Sequence, residues 1–374
     1  MSIIPLVDLA AAHAEVAEEV EAGFKRVIAD TAFIGGTEVA AFEREYASFS
    51  GVPHCVGVAN GTDAVELALR AVGVGPGSEV IVPANTFVAT AEAVARTGAG
   101  VVLVDVNPLT YLIDVDAGLN AVTDLTRAIV PVHLYGQLAS VERLRIGLHE
   151  LGRTGVSIVE DAAQCQGATR FGEGAGAQGI AATSFYPGKN LGAYGDAGAV
   201  VAADEALATT VRTLGSHGGL KKYVHELIGV NSRLDGLQAV VLRAKLSRLA
   251  AWNEARRAAA ARYDDLLSSV DVVRPVTLEG NEHVWHLYVV RVAGDGSPTR
   301  RDAVLAKLNA AGIGAGIHYP YPVHLTPAFA GLGYPVGSFP NAELAATEIL
   351  SLPLFPQITP EQQERVAGTL AEAL

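Results

Sequence analysis

The spacing of hydrophobic residues predicts two helices near the start of the chain. Val16 and Val20 belong to an apolar series that recurs at the helical period through residues 13–30, as in an amphipathic helix. A glycine-containing break follows. A second helical pattern then covers residues 37–49, with Thr37 as its candidate N-cap.

From residue 55 onward, short apolar runs alternate with helical patterns. The apolar runs lie at 55–59, 79–82, 101–105, 127–132, 156–160, 181–185 and 197–202, and the helical patterns at 63–72, 86–97, 139–151 and 203–214. This alternation is typical of an α/β fold with a mostly parallel sheet, here of seven strands. Ligands of such sheets bind at the carboxyl ends of the strands, so the residues after each run are the candidates for chemistry.

The length and the later pattern predict a second, smaller domain. A chain of 374 residues exceeds the usual size of a single hydrophobic core. We expect a large domain over residues 1–234 and a smaller C-terminal α+β domain over residues 235–374. In the smaller domain the pattern predicts helices at 235–269, at 299–311 and from Thr359 onward, strands at 284–292 and 312–319, and an irregular proline-rich tract at 319–340.

Composition narrows the functional classes. The net charge of −13 argues against nonspecific nucleic-acid binding, which requires an excess of lysine and arginine. No apolar stretch is long enough to span a bilayer, and the N-terminal residues lack the features of a signal peptide. Two cysteines, Cys55 and Cys165, do not predict a disulfide framework, and no Cys/His spacing predicts a metal site. We expect a cytoplasmic protein without nucleic-acid, membrane or metal partners.

Lys189 is the residue around which the candidate chemistry is organised. It lies between two apolar strands, beside Gly188 and Gly192, which is a poor position for a solvated surface charge. Burial lowers the pKa of a lysine amine, and only the neutral amine attacks a carbonyl group. The alternative for this residue alone is an ordinary loop lysine.

Three further features follow other predicted strands. Asn60, Gly61 and Thr62 precede a helix whose N-terminal amide groups and dipole form a phosphate cradle, and capping by Asn60 is the alternative. Phe87 is either a core side chain or a flat face for stacking on an aromatic ring. Asp161 ends a buried strand, where a carboxylate is costly unless a cationic partner offsets it, and an accidental edge charge is the alternative.

Taken together, these four features match the needs of pyridoxal 5′-phosphate. The aldehyde of this cofactor requires a lysine, and its pyridine nitrogen requires a carboxylate that keeps it protonated. Its phosphate requires a helix N-terminus, and its ring requires a flat face. The set predicts this cofactor, although no single residue does.

The same residues belong to motifs that resemble the fold-type I sugar aminotransferases of the DegT/DnrJ/EryC1/StrS family. The motifs are Asn60-Gly61-Thr62-Asp63-Ala64, Glu160-Asp161-Ala162-Ala163-Gln164, Ser184-Phe185-Tyr186-Pro187-Gly188-Lys189-Asn190-Leu191-Gly192, Gly195-Asp196-Ala197-Gly198-Ala199, Asn231-Ser232-Arg233-Leu234-Asp235 and His318-Tyr319-Pro320. The resemblance extends from Val7-Asp8-Leu9 to Ser351-Leu352-Pro353 and implies the fold-type I architecture for the whole chain.

The resemblance implies roles for individual residues in holding the cofactor. Lys189 would carry it covalently, and Asp161 would pair with its pyridine nitrogen. Gln164 would contact the ring hydroxyl, and Phe87 would cover the ring. The residues expected around the phosphate are Asn60, Gly61, Thr62 and Ser184, together with Asn231 of the neighbouring subunit, so that the site would require a homodimer.

The resemblance also implies a transamination in two halves. L-Glutamate would leave its nitrogen on the cofactor as pyridoxamine phosphate, and a keto group of a nucleotide-linked deoxysugar would then receive it, with Lys189 moving the proton. The branch that the motifs resemble acts on dTDP-3-keto-6-deoxyhexoses in antibiotic amino-sugar pathways, and a 4-keto dTDP or UDP sugar is the alternative substrate. The candidate substrate contacts are Tyr186, Tyr223, His225, His318 and Tyr319.

Three other functions compete with this hypothesis. The pattern G-x-G-x-x-G at 174–179 suggests a nicotinamide-dependent dehydrogenase, but it precedes a predicted strand rather than opening a helix. The deoxygenating branch of the family has histidine in place of Lys189, and two cysteines cannot supply the usual ligands of its iron–sulfur cluster. A non-catalytic regulator that keeps the fold is the remaining alternative.

Overall fold

A seven-stranded sheet forms the centre of the computed structural model, which describes residues 3–374. The strands in chain order are His54–Val58 (β1), Glu79–Pro83 (β2), Gly100–Val104 (β3), Thr126–Ile129 (β4), Ser157–Asp161 (β5), Thr169–Arg170 (β6), Glu173–Gly174 (β7), Ile180–Ser184 (β8), Gly198–Ala202 (β9), Asn281–Glu282 (β10), Tyr288–Arg291 (β11) and Ile349–Leu352 (β12). Across the large sheet the order is β1-β9-β8-β5-β4-β2-β3. Only β9 runs against its neighbours, so the predicted mostly parallel sheet of seven strands is confirmed.

Twelve α-helices accompany the strands within residues 3–374. They are Leu9–Ala14 (α1), Ala17–Ala29 (α2), Gly36–Ser50 (α3), Gly61–Ala71 (α4), Val88–Thr97 (α5), Val115–Asn120 (α6), Val141–Glu150 (α7), Glu205–Gly215 (α8), Gly236–Leu266 (α9), Thr299–Ala310 (α10), Pro340–Glu348 (α11) and Pro360–Ala373 (α12). The helices predicted from hydrophobic spacing within residues 37–214 are all present, with ends shifted by a few residues.

Alternation of side chains along the strands builds a core on each face of the sheet. Val80 and Val82 of β2 pack with Leu67 of α4 in one hydrophobic cluster. Ile81, between them, packs with Ile129 of β4 in another cluster on the opposite face. Burial on both faces explains why the strands read as continuous apolar runs in the sequence.

The direction of the strands brings the candidate residues to one edge of the sheet. Strands β2, β4, β5 and β8 form a parallel series, and β1 runs in the same direction because it pairs antiparallel with β9. The carboxyl ends of β1, β2, β5 and β8 therefore lie at the same edge. These ends are followed by Asn60, Phe87 and Lys189, and β5 itself ends at Asp161.

Two predicted elements differ from the structure. The helix expected over residues 13–30 is interrupted, because Val16 leaves helical geometry and Glu15 accepts a hydrogen bond from the indole of Trp252 at 2.9 Å. The strand expected at 312–319 is reduced to isolated bridges, in which Ile313 pairs with Ile4 and Gly316 with Ser351. In both places a tertiary contact replaces the regular element.

The C-terminal part of the chain contains a separate hydrophobic cluster around the β11–β12 pair, packed with α10 and α12. The long helix α9 joins it to the sheet, since Leu242 packs beside Phe42 while Tyr263 packs beside Val366. Ile4 from the start of the chain also belongs to the C-terminal cluster. The boundary between residues 234 and 235 stays a prediction, and it lies just before Asp235, the N-cap of α9.

The described residues 3–374 include no helix that is both long and apolar enough to cross a membrane. The same residues contain no group of three or more His, Cys, Asp or Glu side chains arranged to hold a metal ion. Cys55 and Cys165 are buried and are not joined in a disulfide.

We predict that Tyr263→Phe destabilises the chain. The buried Tyr263 hydroxyl donates a hydrogen bond to the Pro353 carbonyl at 2.9 Å, and the variant leaves that carbonyl without its donor. The free energy of unfolding should fall by about 1–3 kcal/mol in a denaturant titration. Tyr321→Phe is the matched control, because that ring is exposed and should change stability by less than about 0.5 kcal/mol. Equal effects of both variants would contradict the argument.

Candidate active site

A cavity of about 810 Å³ lies at the carboxyl edge of the sheet. This volume is within the range of small-molecule and cofactor sites. The cavity is lined by these candidate residues from the sequence: Asn60, Gly61, Thr62, Phe87, Asp161, Gln164, Ser184, Tyr186, Lys189, His318 and Tyr319. The structure thus brings together in one chain the lysine, the carboxylate, the aromatic ring and the helix start.

Lys189 extends into this cavity from the turn that follows β8. Its backbone N–H donates to the Tyr186 carbonyl at 2.8 Å, which closes the turn. The side chain is half-buried. Burial lowers the pKa of the Lys189 amine to about 8, although the Asp161 carboxylate acts in the opposite direction. Near pH 8 about half of the molecules therefore carry a neutral, nucleophilic amine.

The Asp161 carboxylate is buried and held by two hydrogen bonds. The Thr90 hydroxyl donates to one oxygen at 2.8 Å, and the Ala163 backbone N–H donates to the other at 3.1 Å. Thr90 is in turn bonded to the Thr86 hydroxyl at 2.8 Å. No cation is bonded to the Asp161 carboxylate among residues 3–374, so its charge is available to a cationic ligand in the cavity.

Gln164 is oriented by its two side-chain partners. Its carbonyl oxygen accepts from the Tyr135 backbone N–H at 2.7 Å, and its amide nitrogen donates to the Tyr319 hydroxyl at 3.0 Å. The Tyr135 hydroxyl donates to the His318 carbonyl. These bonds join the loop after β5 to the returning segment around His318, which also lines the cavity.

Phe87 presents an aromatic face to the cavity. The residue directly precedes α5. The exposed fraction of Phe87 is 53%, which is unusual because phenylalanine side chains are normally buried. Its ring lies 5.5 Å from the ring of Tyr319 at an angle of 37°. The exposed face fits the stacking role that the sequence predicts, rather than the core role.

The N-terminus of α4 can bind an anion. The Asn60 side chain accepts from the Asp63 backbone N–H at 2.8 Å. Asn60 therefore caps the helix, which is the alternative role that the sequence analysis gave it. The backbone N–H groups of Gly61 and Thr62 have no hydrogen-bond partner within the described part of the chain. A Cβ atom at Gly61 would come within 2.5 Å of the Ser184 Cβ, so only glycine allows this close approach. The unpaired N–H groups and the Ser184 hydroxyl fit a phosphate.

His318 and Tyr186 complete the sequence-predicted wall of the cavity. The His318 ring bonds to the Ser351 hydroxyl at 2.8 Å. Burial, and then the charge of Lys189, lower the pKa of His318 to about 4, so the ring is neutral at physiological pH. The Tyr186 side chain is exposed at the cavity. Both side chains can form hydrogen bonds to a substrate.

Three candidate residues do not line the cavity of their own chain. Tyr223 is 83% exposed, and the His225 ring bonds to the His217 carbonyl at 2.8 Å. The Asn231 amide oxygen accepts from the Arg233 side chain at 3.1 Å. The contacts expected of Tyr223 and His225 are therefore not available within one chain. The role of Asn231 across a subunit interface stays a prediction.

The cavity also contains residues that the sequence analysis did not assign. Thr90, which fixes Asp161, lies one helical turn after Thr86, and this spacing is the only signal that could have identified it. Leu6 and Val7 reach the cavity from the start of the chain. His286 lines it from the segment before β11, and no motif marked that position.

The residues in this cavity fit pyridoxal phosphate. Unpaired N–H groups at Gly61 and Thr62 suit the phosphate, and the exposed face of Phe87 suits the ring. The buried carboxylate of Asp161 suits the pyridine nitrogen, and the amine of Lys189 suits the aldehyde. By contrast, the G-x-G-x-x-G pattern at 174–179 leads directly into β8 and opens no helix, which contradicts a dinucleotide site.

Comparison with known proteins supports this interpretation along the whole chain. Residues 14–371 match the DegT/DnrJ/EryC1/StrS aminotransferase family. A pleiotropic regulatory protein of Geobacillus stearothermophilus is 43% identical over 99% of this chain and 98% of its own. The dTDP-3-amino-3,4,6-trideoxy-alpha-D-glucose transaminase of Streptomyces venezuelae is 45% identical over 99% of this chain and 96% of its own.

A solved structure gives the same result for the fold. The crystal structure of S. venezuelae DesV in complex with a ketimine intermediate superposes with a TM-score of 0.95 at 44% identity, covering 100% of this chain and 98% of that one. The fold-type I architecture is therefore confirmed. The chain belongs to the DegT/DnrJ/EryC1/StrS aminotransferase family and is a pyridoxal-phosphate-dependent aminotransferase.

Proposed function

We propose that this enzyme transfers the amino group of L-glutamate to C3 of a dTDP-3-keto-6-deoxyhexose and acts as a cytoplasmic homodimer in the biosynthesis of an amino sugar. The observation that carries the transamination is the desolvated amine of Lys189 in one cavity with the buried Asp161 carboxylate. The choice of substrate is supported by the 45% identity to the dTDP-sugar transaminase along 99% of the chain.

Five residues of the cavity have distinct parts in this function. Bound pyridoxal phosphate would supply a carbonyl group that takes up amino groups and a ring that withdraws electrons. Gly61, Thr62 and Ser184 would hold its phosphate, and Asp161 would keep a proton on its ring nitrogen. In each half of the reaction the Lys189 Nζ would accept a proton at one carbon and return it at another.

The homodimer is supported by exposed apolar side chains in the segment 220–228, between which lie Lys221, Lys222, His225 and Glu226. Ile228 in this segment is 94% exposed, and Leu220, Tyr223 and Leu227 are exposed beside it. Exposed apolar groups of this size indicate a surface that another chain covers. Asn231 lies three residues after Ile228, so a second copy on this segment would bring Asn231 toward the partner's phosphate site. This arrangement would also give Tyr223 and His225 a substrate role.

A regulatory protein among the relatives favours one competing function, a regulator that keeps the fold. The two functions differ in their reaction with L-glutamate. A regulator that only binds the cofactor leaves it in the aldehyde form, whereas an aminotransferase converts it to pyridoxamine phosphate. The visible absorbance of the loaded protein therefore separates them.

The substrate proposal predicts which nucleotide sugars are aminated. The protein, loaded with pyridoxal phosphate, is incubated with nitrogen-labelled L-glutamate and a panel of 3-keto and 4-keto dTDP and UDP sugars, and products are identified by mass spectrometry. We expect labelled nitrogen in the 3-keto dTDP sugar and none with Lys189→Ala, which lacks the amine. Transfer to 4-keto sugars alone would establish the alternative substrate, and no reaction with glutamate would refute the enzyme function.

The pKa of Lys189 predicts how fast the cofactor attaches at different pH values. Only the neutral amine reacts, so the attachment rate should fall about tenfold per pH unit below pH 8 and level off above it. Asp161→Asn removes the charge that raises this pKa, so the midpoint should move to lower pH. Borohydride reduction at timed intervals, followed by peptide mapping, measures the rate.

Lys245 is the internal control for this experiment. Burial also lowers the pKa of its amine to about 8, but that amine donates to the Gly192 carbonyl at 2.7 Å and does not line the cavity. We expect the label on Lys189 and not on Lys245. Labelling of Lys245, or a midpoint near the ordinary lysine value of about 10.4, would contradict the assignment.

The shared site predicts complementation between two inactive variants. Asn231→Ala lacks the residue that would reach the partner's phosphate, and Lys189→Ala lacks the amine. Each mixed dimer should contain one intact site, because Lys189 of one chain is paired with Asn231 of the other. Mixing equal amounts with subunit exchange should therefore restore about a quarter of the wild-type activity. Absence of recovery, with mixed dimers demonstrated by mass spectrometry, would place Asn231 outside the partner's site.

A further inference from the structure

His286 is a buried residue of the active-site cavity that the proposed mechanism does not use. It lies on the segment before β11 and lines the cavity together with Lys189 and His318. One ring nitrogen, Nδ1, lies 3.2 Å from the Asn190 side-chain oxygen. The other nitrogen, Nε2, has no hydrogen-bond partner among residues 3–374, and it is the ring nitrogen left to contact a ligand.

The hydrogen bonds of Asn190 determine which nitrogen of His286 carries the proton. The Asn190 Nδ2 lies 2.9 Å from the Val284 backbone carbonyl and 3.1 Å from the Asn253 side-chain oxygen. A backbone carbonyl can only accept, so this atom of Asn190 must be the amide nitrogen. The opposite atom is therefore the oxygen, and an oxygen without hydrogen can only accept. His286 must donate to it from a protonated Nδ1.

Asn253 fixes the other end of the same network. Its Nδ2 donates to the Gln166 backbone carbonyl at 2.9 Å, so its oxygen is the atom that faces Asn190. Asn190, Asn253 and His286 are all buried, so water does not compete for these bonds. The donor and acceptor roles are thus set by two backbone carbonyls, and the orientation of the His286 ring follows from them.

The proton on Nδ1 leaves Nε2 with an unshared electron pair, as long as the ring is neutral. Burial lowers the pKa of His286 well below its ordinary value, and the positive charges of Lys189 and Arg256 lower it further. The ring therefore stays neutral at physiological pH. Nε2 is a permanent hydrogen-bond acceptor on the wall of the cavity that holds the reactive amine.

We propose that His286 Nε2 accepts a hydrogen bond from a hydroxyl group of the sugar, on a carbon near the ketone that is aminated, and so determines substrate specificity. This inference rests on the proposed function. A hydroxyl group is the matching donor on a neutral ketosugar, whereas the carboxylates of glutamate require donors and are disfavoured by the electron pair. His318 cannot be assigned in the same way, because the Ser351 hydroxyl that bonds its Nδ1 either donates or accepts.

Kinetics with deoxy analogues test the contact. The parent nucleotide ketosugar is compared with analogues in which each remaining sugar hydroxyl is replaced in turn by hydrogen. For wild type, kcat/KM should fall about tenfold with one analogue, as expected for the loss of one hydrogen bond, mainly through KM. His286→Phe should lose about the same factor with the parent and show no further loss with that analogue.

Two further variants control this comparison. His286→Gln keeps an acceptor at the position and should recover part of the discrimination between parent and analogue. His283→Gln is the matched control, because His283 is also buried but does not line the cavity, and its Nδ1 accepts from the Trp285 backbone N–H at 2.8 Å. That variant should keep the wild-type ratio. The ratio is independent of how much folded enzyme each preparation contains.

The protonation state of the His286 ring is tested by a spectrum that does not require the enzyme to react with substrate. A long-range ¹H–¹⁵N spectrum of the wild-type holoenzyme with labelled histidine should show a protonated Nδ1 and an unprotonated Nε2 for His286 between about pH 6 and 8. The signals are assigned by their absence in His286→Phe. A proton on Nε2, or equal discrimination against every analogue by wild type and His286→Phe, would overturn the proposal. Failure of wild type to aminate any nucleotide sugar refutes the proposed function instead, and the spectrum still decides whether Nε2 is an acceptor.

Discussion

The removal of the Lys189 amine from water is the physical condition on which this site depends. Burial alone disfavours the ammonium form, and the nearby Asp161 carboxylate favours it. The balance leaves the pKa near 8, so the amine is available as a nucleophile and as a base close to neutral pH. The balance requires a fixed carboxylate, which explains why Thr90 and Ala163 each donate a hydrogen bond to Asp161.

The strand that carries Asp161 also explains how two adjacent carboxylates have different functions. Side chains alternate along β5, so Glu160 and Asp161 point to opposite faces. Glu160 accepts from the Gly176 backbone N–H at 3.1 Å and bonds to Nε2 of His133 at 2.8 Å. Nδ1 of His133 accepts from the Ala139 backbone N–H at 3.0 Å, so Nε2 carries the proton. The bonds of Glu160 are thus structural, and of these two neighbouring carboxylates it is Asp161 that lines the cavity.

The sheet and most of its site could be predicted from sequence because both follow from the pattern of apolar runs along the chain. Each apolar run gives a strand, the parallel strands end at one edge, and residues such as Asn60, Phe87 and Lys189 follow those ends directly. Thr90 and His286 follow no such rule. Thr90 lies in the first turn of α5, and His286 reaches the cavity only because the C-terminal segment packs against the sheet. The spacing from Thr86 is the sequence signal for Thr90, but the bond from Thr90 to Asp161 joins residues that are 71 positions apart. The position of His286 depends on tertiary contacts between distant parts of the chain, for which one sequence contains no periodic signal.

Tertiary contacts also explain why one strand that the local sequence pattern predicts did not form. Residues 312–319 contain enough apolar side chains for a strand, but Ile313 bridges to Ile4 and Gly316 bridges to Ser351. Because its bridging partners come from both ends of the chain, this segment can bring His318 to the cavity without joining a sheet. Irregular backbone is tolerated there since Ser351 bonds to the His318 ring and the Tyr135 hydroxyl bonds to the His318 backbone carbonyl. The part of the cavity around His318 is therefore held by individual hydrogen bonds, whereas the part that carries Asp161 is held by the sheet.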